Sequence, residues 1–100
     1  MIRQKLDAAA ISARLSELQG WTLADNGTSI EKHFVFRNFS EAFGFMTQCA
    51  LAAEKLDHHP EWSNVYRKVH VKLTTHSADG VTELDFQLAV LMDRAGRDAA

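Results

Sequence analysis

A single cysteine, Cys49, is too little for an intramolecular disulfide or for a zinc ribbon. It lies in a periodic apolar segment, where a reduced thiol behaves as a small buried hydrophobe, which suits a reducing cytosol. Proline occurs once, as Pro60, and neither internal repeats nor low-complexity tracts interrupt the chain. Long apolar runs are missing too. Met1-Ile2-Arg3-Gln4-Lys5 leads into no apolar export segment, and no stretch approaches the length that spans a bilayer, so a cytoplasmic protein is expected. Charge of one sign is also lacking: a formal net charge of -2 supplies no field to steer the chain toward phosphate backbones or anionic membranes, so neither is an expected partner. What is present is an ordinary globular balance, with 46% apolar and 24% charged residues over 100 positions. A chain this short needs nearly all of its apolar residues for one core, and a single domain over residues 1–100 is expected.

Periodicity predicts the order αββαββα. Asp7 is placed to cap a first helix carrying Ile11, Leu15 and Leu18, with Gly20 as its left-handed terminator. Trp21 to Ala24 and Ser29 to Phe36 flank Asn26-Gly27, a dipeptide suited to the positive φ angles of a tight hairpin. In the second of these strands Ile30, Phe34 and Phe36 share one face, against Glu31, His33 and Val35 on the other. Ser40 is expected to open a long amphipathic helix, because Ala42, Met46, Cys49, Ala53 and Leu56 recur at helical spacing. Pro60 disfavours helical geometry at His59, so that helix ends near His58. Asn64 to Tyr66 and Val69 to His76 read as strands joined by a tight link at Arg67-Lys68. After the loop Ser77 to Gly80, Thr82-x-x-Asp85 resembles a capping box before a helix bearing Leu84, Leu88 and Leu91. The expected fold class is α+β, a four-stranded antiparallel sheet covered on one face by helices. The long helix also carries Phe43, Phe45, Ala50, Leu51 and Ala52, more apolar surface than one shallow sheet can cover, which points to a subunit interface, the alternative being a helix sandwiched within the monomer.

The residues able to do chemistry gather at the exit of the long helix. Glu54 and His58 are four apart and Asp57 is three from Glu54, so two carboxylates are expected to flank the His58 ring. A neighbouring carboxylate favours the imidazole cation and burial disfavours it, which is how histidines are set for general acid-base work near neutrality. His76, at the expected end of the fourth strand, is positioned to join His58 and His59. A helix stop, with histidine favoured by the macrodipole, explains the same local residues. So does a metal site, since Glu54, His58, His59 and His76 are plausible zinc or iron ligands, although His-Glu-x-x-His is absent. On local evidence Asp85 reads as a capping partner and Trp21 as a core or sheet aromatic, while His33 and His70 take no role.

The segment Glu54-Lys-Leu-Asp-His-His-Pro-Glu-Trp62, followed by Asn64-Val-Tyr66, Thr74-Thr-His76 and Gly80-Val-Thr-Glu-Leu-Asp85, resembles the pterin-4a-carbinolamine dehydratase family. Ile30 to Phe36, Phe39 and Glu41 to Met46 carry the likeness upstream, so that it covers about residues 20 to 92. The resemblance implies dehydration of 4a-hydroxytetrahydrobiopterin, or a related pterin, to the quinonoid dihydropterin, which recycles the cofactor of aromatic amino-acid hydroxylases. It implies His58 and His76 as the acid-base pair and His59 as the residue that orients the pterin. Glu54 and Asp57 would tune the histidines, Thr74, Thr75 and Ser77 would line the strand end where the ring docks, and Trp21 and Asp85 are further carried-over positions. No metal or organic cofactor is implied, because the pterin is the substrate. Family members are homodimers or homotetramers, the tetramer joined through the long helix, and some animal relatives bind a homeodomain transcription factor through the same surface. Two positions depart from the common pattern: Leu84 stands where an arginine is frequent, and Arg67 replaces a frequent asparagine.

Overall fold

A computed structural model describes residues 3–99. Its first helix, α1 (Ala8–Leu15), starts where the Asp7 carboxylate accepts from the Ala10 N–H at 2.8 Å. It stops at Leu15 rather than Leu18, because Glu17 and Leu18 donate to Arg14 and Leu15, three residues back, and tighten the last turn. Gly20 then turns the chain at φ +82°, the left-handed geometry expected of it. Strands β1 (Thr22–Leu23) and β2 (Ile30–Val35) pair antiparallel, with Gly27 at φ +74° in the turn between them.

Helix α2 (Phe39–Leu56) begins one residue ahead of the expected start at Ser40. Asn38 is the true cap: its side chain accepts from the Glu41 N–H at 2.9 Å, while the Glu41 carboxylate accepts from the Arg37 N–H at 3.0 Å. Strand β3 (Glu61–Val65) starts earlier than Asn64 because Glu61, Trp62 and Ser63 already pair with Lys72, Val71 and His70 of β4 (Lys68–Leu73). Tyr66, at φ +53°, sits in the turn with Arg67 rather than in the strand. The fourth strand stops at Leu73, short of the expected His76. Thr75 and Gly80 instead bond to each other and close a loop around a short 3-10 turn, His76–Ala78. Helix α3 (Glu83–Ala99) completes the described chain.

The sheet order is β1-β2-β4-β3, antiparallel throughout. Ile30, Phe34, Val69, Val71 and Leu73 form its buried face, packed against Phe45, Cys49 and Ala53 of α2 and Phe86, Leu88 and Met92 of α3. Among the described residues this is an α+β arrangement of three α-helices and a four-stranded sheet that buries one face against them. On the opposite face the rings of His33 and His70 stack at 4.3 Å, and His70 pairs with Glu31 at 2.9 Å.

One expectation about α2 is overturned. Phe45 is not part of a surplus outer face, for it is fully buried, with its ring 4.6 Å from that of Phe34 and 5.0 Å from that of Phe36. The core stripe runs through Ala42, Phe45, Cys49 and Ala53, which leaves Met46 half-buried beside it. Phe39, Phe43 and Leu51 remain exposed on the outer side. No helix among the described residues is long and apolar enough to cross a membrane.

Candidate active site

Helix α2 ends in a way that separates its last polar residues. Asp57 adopts the left-handed conformation (φ 51°, ψ 45°), its N–H bonds the Glu54 carbonyl, and the His58 N–H bonds the Ala53 carbonyl at 3.1 Å. This paired closure is a Schellman motif, which reverses the chain immediately after the helix. The reversal turns His58 inward and leaves the Asp57 side chain 89% exposed. The expectation that Glu54 and Asp57 flank His58 is therefore corrected. Helical spacing fails one residue before the histidine, and the two carboxylates go elsewhere: Glu54 to the Nε2 of His59, Asp57 to Arg3.

The partner of His58 comes from α3. Nε2 of His58 lies 2.6 Å from Oδ1 of Asp85, and both side chains are buried. The other Asp85 oxygen accepts from the Thr75 hydroxyl and from the Thr82 N–H, each at 2.9 Å. Thr82 in turn accepts from the Leu84 N–H at 3.3 Å, so Thr82-x-x-Asp85 is the reciprocal cap expected of it. Asp85 thus starts α3 and orients His58 with the same carboxylate. Against an ionised carboxylate, which can only accept, Nε2 of His58 carries the hydrogen, and in the neutral ring Nδ1 is then the acceptor.

His58, His59 and His76 converge on one cavity of about 250 Å³. Thr74, Thr75 and Ser77 supply its strand-end wall, and Asp57 and Arg3 complete the rim. His76 reaches it from the 3-10 turn, largely exposed, with Nε2 3.0 Å from the Glu61 carboxylate. The histidines therefore differ in kind. His58 is deep and held by a buried carboxylate, whereas His59 and His76 stand in solvent, each touching an exposed glutamate. Among the described residues no group of three His, Cys, Asp or Glu side chains is arranged to hold a metal ion.

Trp21 does not line this cavity. It is buried in the core, its Nε1 donating to both Asp93 oxygens at 3.0 and 3.1 Å and its ring meeting Phe34 edge-on. A larger groove of about 740 Å³ opens nearby between Lys32, Phe34, Asp93 and Arg97. It contains no histidine, and Lys32 and Asp93 are tied to each other at 2.8 Å. Glu61 and Arg3 were not anticipated at the site. Glu61 had a readable signal in its place directly after His58-His59-Pro60, but Arg3 had none, because nothing local links it to a helix exit 54 residues away.

The architecture is shared with a solved protein. The crystal structure of the transcriptional coactivator/pterin dehydratase from Brucella melitensis matches with a TM-score of 0.91 and 48% identity, covering 93% of this chain and 99% of that one. The present chain belongs to the pterin 4 alpha carbinolamine dehydratase family, whose pattern it matches over residues 4–95. Two relatives provisionally named pterin-4-alpha-carbinolamine dehydratases show how near the likeness is. That of Sinorhizobium fredii is 66% identical over 92 residues, 92% of this chain and 88% of the relative. That of Chelativorans sp. is 63% identical over 93 residues, 93% of this chain and 95% of the relative.

Proposed function

We propose that this chain, acting as one domain, is a hydro-lyase that removes water from a 4a-hydroxytetrahydropterin such as 4a-hydroxytetrahydrobiopterin and yields the quinonoid dihydropterin. The observation that carries the reading is the convergence of His58, His59 and His76 on one cavity at the exit of α2. In the reaction the C4a–O bond breaks. Hydroxide is a poor leaving group, so a proton must reach that oxygen as the bond opens, and the adjacent ring nitrogen gives up its proton as the C=N bond forms. The two transfers balance, and water is the only other product. His58 and His76 act as the acid-base pair, and His59 holds the ring. Nδ1 of His58 is suited to accept a proton because Asp85 occupies Nε2. Glu54 and Glu61 fix the rings of His59 and His76. Ser77 offers its hydroxyl and Thr74 its hydroxyl oxygen to the heterocycle's edge, while Thr75, whose hydroxyl donates to Asp85, shapes the wall behind them. The pterin brings its own reactivity, so neither metal nor organic cofactor takes part. In a cytoplasm that contains an aromatic amino-acid hydroxylase, the activity would recycle that enzyme's oxidised cofactor.

The test generates the 4a-hydroxypterin with a hydroxylase and follows its decay with and without this protein. Acceleration is expected, and decay at the spontaneous rate across roughly pH 6 to 8, where histidines titrate, overturns the reading.

A second reading is favoured by the exposed side of α2, where Phe39 and Phe43 lie 5.6 Å apart and Leu51 continues the face. It is a surface for homo-oligomerisation or for a transcriptional regulator, and the Brucella melitensis protein is named a coactivator as well as a dehydratase. Substitutions there should abolish assembly while dehydration persists.

A further inference from the structure

The cavity has one wall that neither strand nor helix supplies. Leu6 donates its N–H to the Val81 carbonyl at 2.9 Å, and the aliphatic part of Lys5 lies so close over Gly80 that a Cβ there would meet it at 2.8 Å. These two contacts lay the chain ahead of α1 along the loop that carries His76. Arg3 is thereby brought to the rim of the cavity. Among the described residues lining it, Arg3 is the one fixed cation.

Arg3 is held there without being used up. Its Nη2 donates to the Asp57 main-chain carbonyl at 3.0 Å, which anchors the guanidinium on the Schellman turn. Its approach to the Asp57 carboxylate is 3.7 Å, beyond hydrogen-bond range, and that carboxylate stands in water. An exposed pair of this kind is screened by water and holds the guanidinium only weakly. A guanidinium has five N–H donors in a planar fork, so most of its capacity remains for another anion.

We propose, resting on the pterin reading, that Arg3 is a specificity-determining residue that binds an anionic substituent carried by the pterin, a phosphate above all. Depth decides between substituent and ring. The reacting atoms must reach His58, whose side chain is only 6% exposed, whereas the Arg3 side chain is 42% exposed at the open end. A bicyclic ring seated against His58 sends its side chain outward past Arg3. Planar bidentate donation matches phosphate oxygens better than it matches a neutral hydroxylated chain.

The experiment measures binding of 7,8-dihydroneopterin and its 3′-monophosphate, a pair that differs only in the phosphate, to the wild-type chain and to Arg3→Gln and Arg3→Lys. The wild type is expected to prefer the phosphate by about fivefold or more at low salt. Arg3→Gln should lose that preference, and Arg3→Lys should restore part of it. Equal affinity of the wild type for both ligands, or an undiminished preference in Arg3→Gln, overturns the role of Arg3 and leaves the pterin reading standing. Binding of neither ligand by the wild type overturns the pterin reading itself and the proposal with it. Circular dichroism of each variant separates a lost contact from a lost fold.

Discussion

The buried Nε2 of His58 and Oδ1 of Asp85 meet at 2.6 Å across 27 residues of sequence, and this contact joins the exit of α2 to the start of α3. It gives one carboxylate two duties, capping a helix and fixing a histidine tautomer.

Asp85→Asn separates those duties. The amide oxygen can still accept from the Thr82 N–H, but its NH2 then faces His58 and makes Nε2 the acceptor, which moves the ring hydrogen to Nδ1. The folded state should lose about 1 to 3 kcal/mol, read from a urea transition. Turnover should fall by at least about tenfold, more than KM changes. Nitrogen chemical shifts of the His58 ring report the tautomer directly, and an unchanged tautomer defeats this account.

Removal of each histidine should show the division of labour. His58→Ala and His76→Ala are expected to lower kcat by about a hundredfold or more, the usual contribution of a general acid or base. His59→Ala should act mainly on KM. A His76→Ala protein that is folded and fully active would remove His76 from the mechanism.

Burial pushes the Cys49 thiol up from 9.0 to about 12. In the unfolded chain the thiol ionises near its ordinary value while the folded chain keeps the proton, so unfolding releases a proton and rising pH favours it. The stability is intact below about pH 9 and is lost toward pH 12 at up to about 1.4 kcal/mol per pH unit. Denaturant titrations of wild type and Cys49→Ala at several alkaline pH values should show the steeper decline only in the wild type. Iodoacetamide at neutral pH should label the thiol only after unfolding.

Phe43 and Leu51 are 54% and 65% exposed on the outer side of α2. If that face joins copies of the chain, Leu51→Glu should lower the mass measured by light scattering and leave dehydration intact. A wild-type protein that runs as a monomer at working concentration would contradict the homo-oligomer.

Much of this was legible in one dimension. The period-two runs through Ile30 to Phe36 and Val69 to Leu73, the Asn26-Gly27 turn and the Thr82-x-x-Asp85 cap are local signals, and each formed as sterics and hydrogen bonding require. The start of α2 was legible too, in Asn38-x-x-Glu41, although Ser40 was the more obvious candidate. Phe45 was harder. Its helix is apolar on several sides, and which side meets the sheet depends on where the sheet lies.

At the site the sequence by itself determined the inventory: a helix stop at Pro60, paired histidines before it, a third histidine near the end of the last strand, and an aspartate at a helix start. It could not assign partners. Helical spacing put Glu54 beside His58, but the left-handed turn at Asp57 ended that geometry one residue too soon. Only the tertiary structure decided that Asp85 takes His58, that Glu61 takes His76 and that Arg3 reaches the rim. The reason is physical. Secondary-structure signals depend on neighbours a few residues away, whereas a buried polar group must find its partner across the fold, wherever packing brings one within hydrogen-bond reach.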